Sequence, residues 1–333
     1  MQRASVRRSA GAIGVFLFLA SLTSCGGSSP SSPTTSVSNA EAYLNYLIAV
    51  MQQNSVNRVG IDWTAFRSQV LAAAPNAATI PDTYPAIRVA LGLLNDHHSF
   101  YTNASGTGGI SNPSFPAGCD IPMADTPVVP ADIGYVRIPA FSGSGGADFA
   151  ASLHDAIKSR DTGAIVSGWI VDLRGNGGGN MWPMIAGLGP VLGDGVAGYF
   201  VYPDGTSLKW IIAGSSSRVD SFFQSGASST YTLRHPAPRV AVLVDNGVAS
   251  SGEATMIAFH GRANTRSFGV ATCGLSTSVS TYQMSDSASL LLADSLMADR
   301  NGVAFGDQLQ PDEVVDDVVT AAVTRAVTWL RER

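Results

Sequence analysis

An α/β fold is predicted, and two observations carry it. From residue 133 onward, apolar runs of strand length alternate with helical stretches, the order expected of a substantially parallel sheet. Two of those runs end in glycine- or serine-bearing turns just before another apolar segment, as buried strands do where they pass into helices. Ahead of residue 133 the period is helical, which predicts a small helical bundle in front of the α/β core.

Taken in chain order, Ser38-Asn-Ala-Glu41 reads as a capping box opening a helix to about residue 51. Asp62 caps a second helix over 63–73, and Ile87, Leu91 and Leu94 share one face of a third that runs up to Asp96. Residues 105–132 are rich in Gly, Pro, Ser and Asn, so they are expected to form an extended connection between a bundle at 39–104 and a core at 133–333. In the core, strands are expected at 133–138, 164–173, 240–244 and 267–270, with helices at 147–159, 181–192, 252–260 and 314–330. Two hairpins, 197–202 with 208–212 and 279–284 with 289–293, are expected to extend the parallel sheet.

The N-terminus reads as a targeting segment. Arg3, Arg7 and Arg8 precede an apolar run at 12–22, too short to span a bilayer as a mature helix, and Leu22-Thr-Ser-Cys25 follows at once. A small residue and then cysteine at that point resembles a bacterial lipobox, which makes residues 1–25 a signal peptide and Cys25 the lipidated residue. The competing reading is an ordinary secretory signal in which Cys25 is incidental. Residues 26–38, rich in Gly, Ser, Thr and Pro, suit a flexible linker. The expected location is therefore outside a bacterial cell's cytoplasm, membrane-anchored on the periplasmic or extracellular face. In an oxidising compartment Cys119 and Cys273 could form one disulfide, or remain two buried thiols.

Composition narrows the partners. Charged residues make up 14% of the 333 and the net charge is −5, so a nucleic-acid surface is not indicated. The five histidines and three cysteines show no metal-ligand spacing, and neither metal nor cofactor is expected.

Two strand-end segments carry the chemistry. Gly168-Trp-Ile-Val-Asp-Leu-Arg-Gly-Asn-Gly-Gly-Gly179 ends in a loop of bare amides, and Val240-Ala-Val-Leu-Val-Asp-Asn-Gly-Val-Ala-Ser-Ser-Gly-Glu253 places Ser250 and Ser251 at a helix start. A serine at a helix N-terminus beside free amides is what acyl transfer requires: a nucleophile and donors for a developing oxyanion. The nucleotide reading fails, because Asn180 stands where a third fingerprint glycine belongs and no G-K-[ST] occurs. After Ser250 the only histidine is His260, on the very helix that Ser250 starts, so a histidine base must come from upstream.

In combination, Leu94-Asn-Asp-His-His-Ser-Phe100, Ile133-Gly-Tyr-Val-Arg-Ile138, Asp172-Leu-Arg-Gly-Asn-Gly-Gly-Gly179, Ala249-Ser-Ser-Gly-Glu253, Gly269-Val-Ala-Thr-Cys-Gly274 and Asp299-Arg-Asn-Gly…Pro311-Asp312 resemble the tail-specific (C-terminal processing) serine protease family. The resemblance runs over roughly residues 40–315 and implies a core of the ClpP/crotonase-like kind with a mixed, largely parallel sheet. It implies Ser250 as nucleophile and an oxyanion hole from Ser251 with Gly177 or Gly178. One branch of the family uses a lysine base whose place here is Leu275, and the only lysines, Lys158 and Lys209, stand elsewhere. The histidine-using branch, which includes the tricorn core protease and the chlamydial protease-like activity factor, draws its base from a motif that Asp96-His-His-Ser99 matches, which implies His98. The acid of that branch falls near Phe305-Gly-Asp307, making Asp307 the candidate third residue. The implied activity is serine endopeptidase, with a polypeptide as substrate; the alternative is a non-catalytic binder of apolar ligands or peptides on the same fold.

Overall fold

The computed structural model describes residues 39–161 and 168–332. The signal segment, Cys25, the linker and the first residues of the strand expected over 164–173 lie outside the described residues.

The chain opens with α1 (Asn39–Asn54), α2 (Trp63–Ala72), a 3-10 turn (Pro81–Thr83) and α3 (Tyr84–Leu93). Asp62 caps α2 as expected, its carboxylate accepting the amides of Thr64 and Ala65. The short strands β1 (Phe100–Thr102) and β2 (Gly109–Ile110) follow, and then a long irregular connection to β3 (Ile133–Arg137). Helix α4 (Gly146–Asp161) leads to β4 (Gly168–Asp172), and α5 (Met181–Gly187) is followed directly by the four-residue α6 (Gly189–Leu192). Pro190, in the first turn of α6, has no N–H to continue α5, so the helix expected over 181–192 is broken in two. A meander of β5 (Gly195–Val201), β6 (Ser207–Ala213), β7 (Ser216–Val219) and β8 (Phe222–Gly226) precedes β9 (Arg239–Val244). The chain closes with α7 (Ser251–Phe259), β10 (Thr265–Gly269), β11 (Thr277–Gln283), β12 (Ser289–Asp299), β13 (Glu313–Val314) and α8 (Ala321–Arg331). Helix α8 starts later than its apolar period suggests, because Asp317 accepts the amides of Val319, Thr320 and Ala321 and residues 313–314 pair as β13 instead.

Two sheets result. The first is wholly parallel, in the order β13-β10-β9-β4-β3. Its central strands are buried on both faces, which is why β4 and β9 read as unbroken apolar runs. Val136, Trp169, Val171, Val240 and Val242 pack on one face under α4, α5 and α7, whereas Tyr135, Ile170, Ala241 and Leu243 meet α8 on the other. The second sheet is antiparallel, in the order β2-β1-β12-β5-β6-β7-β8, with β11 pairing β12 on its other edge. The hairpins therefore do not extend the parallel sheet; they build a sheet of their own.

The N-terminal helices do not close a core by themselves. Leu44, Leu47, Ile87 and Leu91 bury against Tyr101 from β1 and against Met284, Leu290 and Leu292 from the β11–β12 hairpin. The described residues form one compact unit. Leu290, fully buried in that shared cluster, tests the arrangement. Leu290→Ala is expected to lower stability by about 2–5 kcal/mol in urea unfolding; a loss under about 1 kcal/mol would mean that the helices hold a core of their own.

Candidate active site

The carboxyl ends of β4 and β9, neighbours in the parallel sheet, supply the two loops of the candidate site. After β4, Asp172 anchors the first loop. Its Oδ2 accepts from Tyr135 Oη (2.7 Å), Arg137 Nη2 (2.8 Å) and Arg174 Nη2 (2.7 Å), and its Oδ1 accepts from Arg174 Nε (2.8 Å). Burial works against this carboxylate, but the bonds from Arg174, Arg137 and Tyr135 hold it below its usual pKa. Asp245, at the end of β9, joins the two loops: its Oδ1 accepts the amides of Gly175 (2.9 Å) and Gly247 (3.0 Å).

Ser250 sits at the turn into α7 with φ 53° and ψ −114°, a conformation rarely adopted by a residue with a side chain and costing about 1–3 kcal/mol. Its surroundings hold it there. The Ser250 amide donates to Glu253 Oε2 (2.8 Å), the Ala249 amide to the carbonyl of Asn176 (3.0 Å) and the Cys273 amide to the carbonyl of Val248 (2.9 Å). Glu253 is completely buried and accepts three further bonds, from Thr272 Oγ1 (2.6 Å) and the amides of Gly274 (2.9 Å) and Leu275 (2.8 Å). Its burial raises the carboxyl pKa, and those four donors oppose the rise.

The glycine loop lies directly against this turn. A Cβ on Gly178 would come within 2.7 Å of the Ala249 carbonyl and 3.0 Å of Ser250 Cβ, and its φ of +100° also requires glycine. Of the donors expected for an oxyanion, Ser251 begins α7, where first-turn amides lack helical partners. The Gly177 and Gly178 amides are engaged inside the loop, with the Gly175 carbonyl (3.1 Å) and Asn176 Oδ1 (3.0 Å). Gly179 is different. Its bridge to Phe141 uses the Gly178 carbonyl and the Asn180 amide, which leaves its own polar groups on the opposite edge, where its carbonyl accepts from Ser251 Oγ (2.7 Å).

Gly179, Ser250, Ser251 and Thr277 line one cleft of about 200 Å³, walled by Trp182, Phe200, Val279 and Met297. A larger cavity of about 520 Å³ lies by the start of α2, but its one carboxylate, Asp62, is committed to capping that helix. Chemistry, not volume, favours the smaller cleft.

His98 meets Thr277, one of the residues that line this cleft. Its Nδ1 lies 3.1 Å from the Thr277 carbonyl and 3.0 Å from Thr277 Oγ1. The ring is placed by Asp96, whose Oδ1 accepts the amides of His98 (2.9 Å) and Ser99 (2.7 Å). His97 turns elsewhere, its Nδ1 meeting the Ser114 carbonyl at 2.9 Å. Burial pushes the His98 pKa down from 6.5 to about 4, partly offset by the bond to Thr277, so the ring is neutral at ordinary pH.

The remaining expectations fare differently. Asp307 is exposed, its Oδ1 accepts the Gln308 amide (2.8 Å), and the group that meets the His98 ring is Thr277 instead. Leu275, in the lysine's place, packs with Ala249 and Cys273, and Cys119 lies against that cluster. Cys119 and Cys273 are joined in a disulfide, Cα–Cα 5.4 Å. Among the described residues no cluster of three potential metal ligands occurs.

The chain belongs to Peptidase family S41, whose profile matches residues 132–315. That span holds Ser250 and both strand-end loops, while His98 lies outside it. The chain is similar to the nisin-resistance protein of Lactococcus lactis subsp. lactis, 27% identical over 275 residues that span 82% of this chain and 81% of that one. Its fold is similar to that of a lipoprotein from Streptococcus agalactiae (TM-score 0.66, 20% identity, 88% of this chain and 96% of the other). It is also similar to that of the photosystem II D1 C-terminal processing protease (TM-score 0.55, 15% identity, 87% and 98%). The family resemblance read from the motifs holds, and so does the mixed α/β class.

A folded-state pKa below the unfolded value means that the unfolded chain binds the His98 proton first as pH falls. Stability is therefore expected to decline between about pH 6.5 and 4, by up to about 3 kcal/mol from this ring. Urea unfolding across that range should show a shallower decline in His98→Gln; equal slopes would mean that the ring is not buried neutral.

Proposed function

We propose that the protein is a serine endopeptidase in which Ser250 attacks a peptide carbonyl while His98 takes its proton. The observation that carries this reading is Thr277, which lines the cleft beside Ser250 and also receives the ring of His98. In the first step Ser250 Oγ bonds to the carbonyl carbon and its proton passes to His98 Nε2. The oxyanion that forms is met by the Ser251 amide at the positive end of α7, with the Gly179 amide in the part first assigned to Gly177 or Gly178. His98 then gives the proton to the leaving amine, and a water activated by the same nitrogen hydrolyses the ester. Trp182, Phe200 and Met297 in the wall favour an apolar substrate side chain. The nisin-resistance relative makes nisin a rational substrate to include.

The test is direct. Ser250→Ala is expected to abolish casein hydrolysis with the fold intact, and His98→Ala to cost several orders of magnitude where His97→Ala is mild, since base and serine act as one unit. Unchanged turnover in a folded Ser250→Ala removes the nucleophile. The competing reading, a non-catalytic binder, draws on the leucine at position 275. Labelling of Ser250 by a fluorophosphonate separates the two, because it needs an activated hydroxyl.

We further propose that the protein is exported and held at the membrane by acylation of Cys25. Support comes from the basic and apolar N-terminus that ends in Leu22-Thr-Ser-Cys25, and from the similar fold of a lipoprotein from Streptococcus agalactiae. Cys25→Ser is expected to move the protein from the membrane to the soluble fraction; its persistence in the membrane refutes the anchor.

A further inference from the structure

His98 has two ring nitrogens, and what Nδ1 touches decides which can act as a base. A carbonyl oxygen can only accept, so the Thr277 carbonyl 3.1 Å away requires Nδ1 to carry the ring proton. The lone pair is then on Nε2, the nitrogen that a general base needs free. In a Ser-His-acid triad this work falls to a carboxylate. Here none reaches the ring among the described residues. Asp96 spends its oxygens on the amides of His98 and Ser99 and on Ser99 Oγ (2.8 Å), and Asp307 faces solvent.

We propose that Thr277 is the positioning residue of this site, its main-chain carbonyl and hydroxyl doing for His98 what a carboxylate does in a triad. The proposal rests on the reading of His98 as the base. Thr277 itself is held from three sides. It pairs with Leu296 across β11 and β12, the Ser276 carbonyl before it accepts the Met297 amide (3.1 Å), and Ser276 Oγ donates to the Asp307 carbonyl (2.6 Å). Asp307 thus contributes through its backbone, steadying the strand that carries the acceptor. Two residues upstream, the Leu275 amide is fixed on Glu253, the same carboxylate that holds the Ser250 amide. One buried group therefore sets both the nucleophile's turn and the strand that orients the base. Thr277 supplies tautomer and orientation without a negative charge.

Nitrogen NMR of the full chain labelled at histidine, with the His98 signal assigned by its loss in His98→Gln, reads the tautomer without any substrate. The expected result at neutral pH is a proton on Nδ1 and none on Nε2; a proton on Nε2, or on both, overturns the proposal. This readout stands whether or not the protein is a peptidase, so its failure differs from failure of the proposed activity. Kinetically, Asp307→Asn is expected to change kcat less than about tenfold, where loss of a triad carboxylate costs about 10⁴. A loss of about a thousandfold or more there, in a folded protein, also overturns it. Thr277→Val is expected to lower kcat by up to about tenfold at unchanged KM, with recovery in Thr277→Ser, the cost of one hydrogen bond. An unchanged kcat in Thr277→Val overturns the part given to the hydroxyl.

Discussion

Glu253 is a carboxylate with no access to solvent and four donors around it, and the site is arranged about those four bonds. A carboxyl group removed from water is tolerated only where its oxygens are met by hydrogen-bond partners, so the donors are required as much as they are held. One comes from the turn that carries Ser250, and three come from residues 272–275, which lead into β11. The left-handed backbone of Ser250 persists because its amide has this partner and because the Ala249 amide is bound to the glycine loop. Without that frame the turn would relax toward an ordinary helix start, and the hydroxyl would leave the cleft.

The parallel sheet explains why two loops far apart in sequence meet. Strands β4 and β9 run side by side in the same direction, so their carboxyl ends open at the same edge. Asp172 and Asp245 stand just there, and each folds the following loop by accepting bonds from it. The antiparallel sheet has a different task. Its β12 strand bears β11 on one edge and β1 on the other, and the turn just before β1 carries His98. The candidate base, His98, comes from before the core in sequence, yet it is positioned beside the sheet that the core's hairpins build.

Much of this was legible in the chain itself. The apolar runs at β4 and β9, the glycine loop and the Ser-Ser-Gly-Glu turn all announce buried strands opening into helices, because strands buried on both faces leave a contiguous signature. The short strands β1, β2, β7, β8 and β13 left no such signature. Of these, β1 and β13 are stabilised by pairing with β12 and β10, far away in sequence, whereas β2, β7 and β8 pair with near neighbours but are too short, and too irregular in burial, to show an alternating pattern. Thr277 was invisible for a further reason. What matters there is chiefly a main-chain carbonyl, which every residue possesses, so no side-chain pattern could mark it. Gly179 shares that property: its neighbours look identical in sequence, and only the bridge to Phe141 separates its amide from theirs.

The Cys119–Cys273 disulfide reaches beyond the site it borders. It ties the irregular connection before β3 to the segment whose amides hold Glu253, and it closes a loop with a sequence separation of 154 that contains β3, β4, β9 and β10. A cross-link over so long a loop acts largely on the unfolded chain, denying it extended conformations worth about 5 kcal/mol in the chain-entropy account. The candidate catalytic frame is thus defended from two directions, by contacts in the native state and by a narrowed set of alternatives to it. Reduction would remove the second defence and free the connection before β3 from the segment that holds Glu253, so the redox state of the surroundings bears on the stability of the fold as a whole.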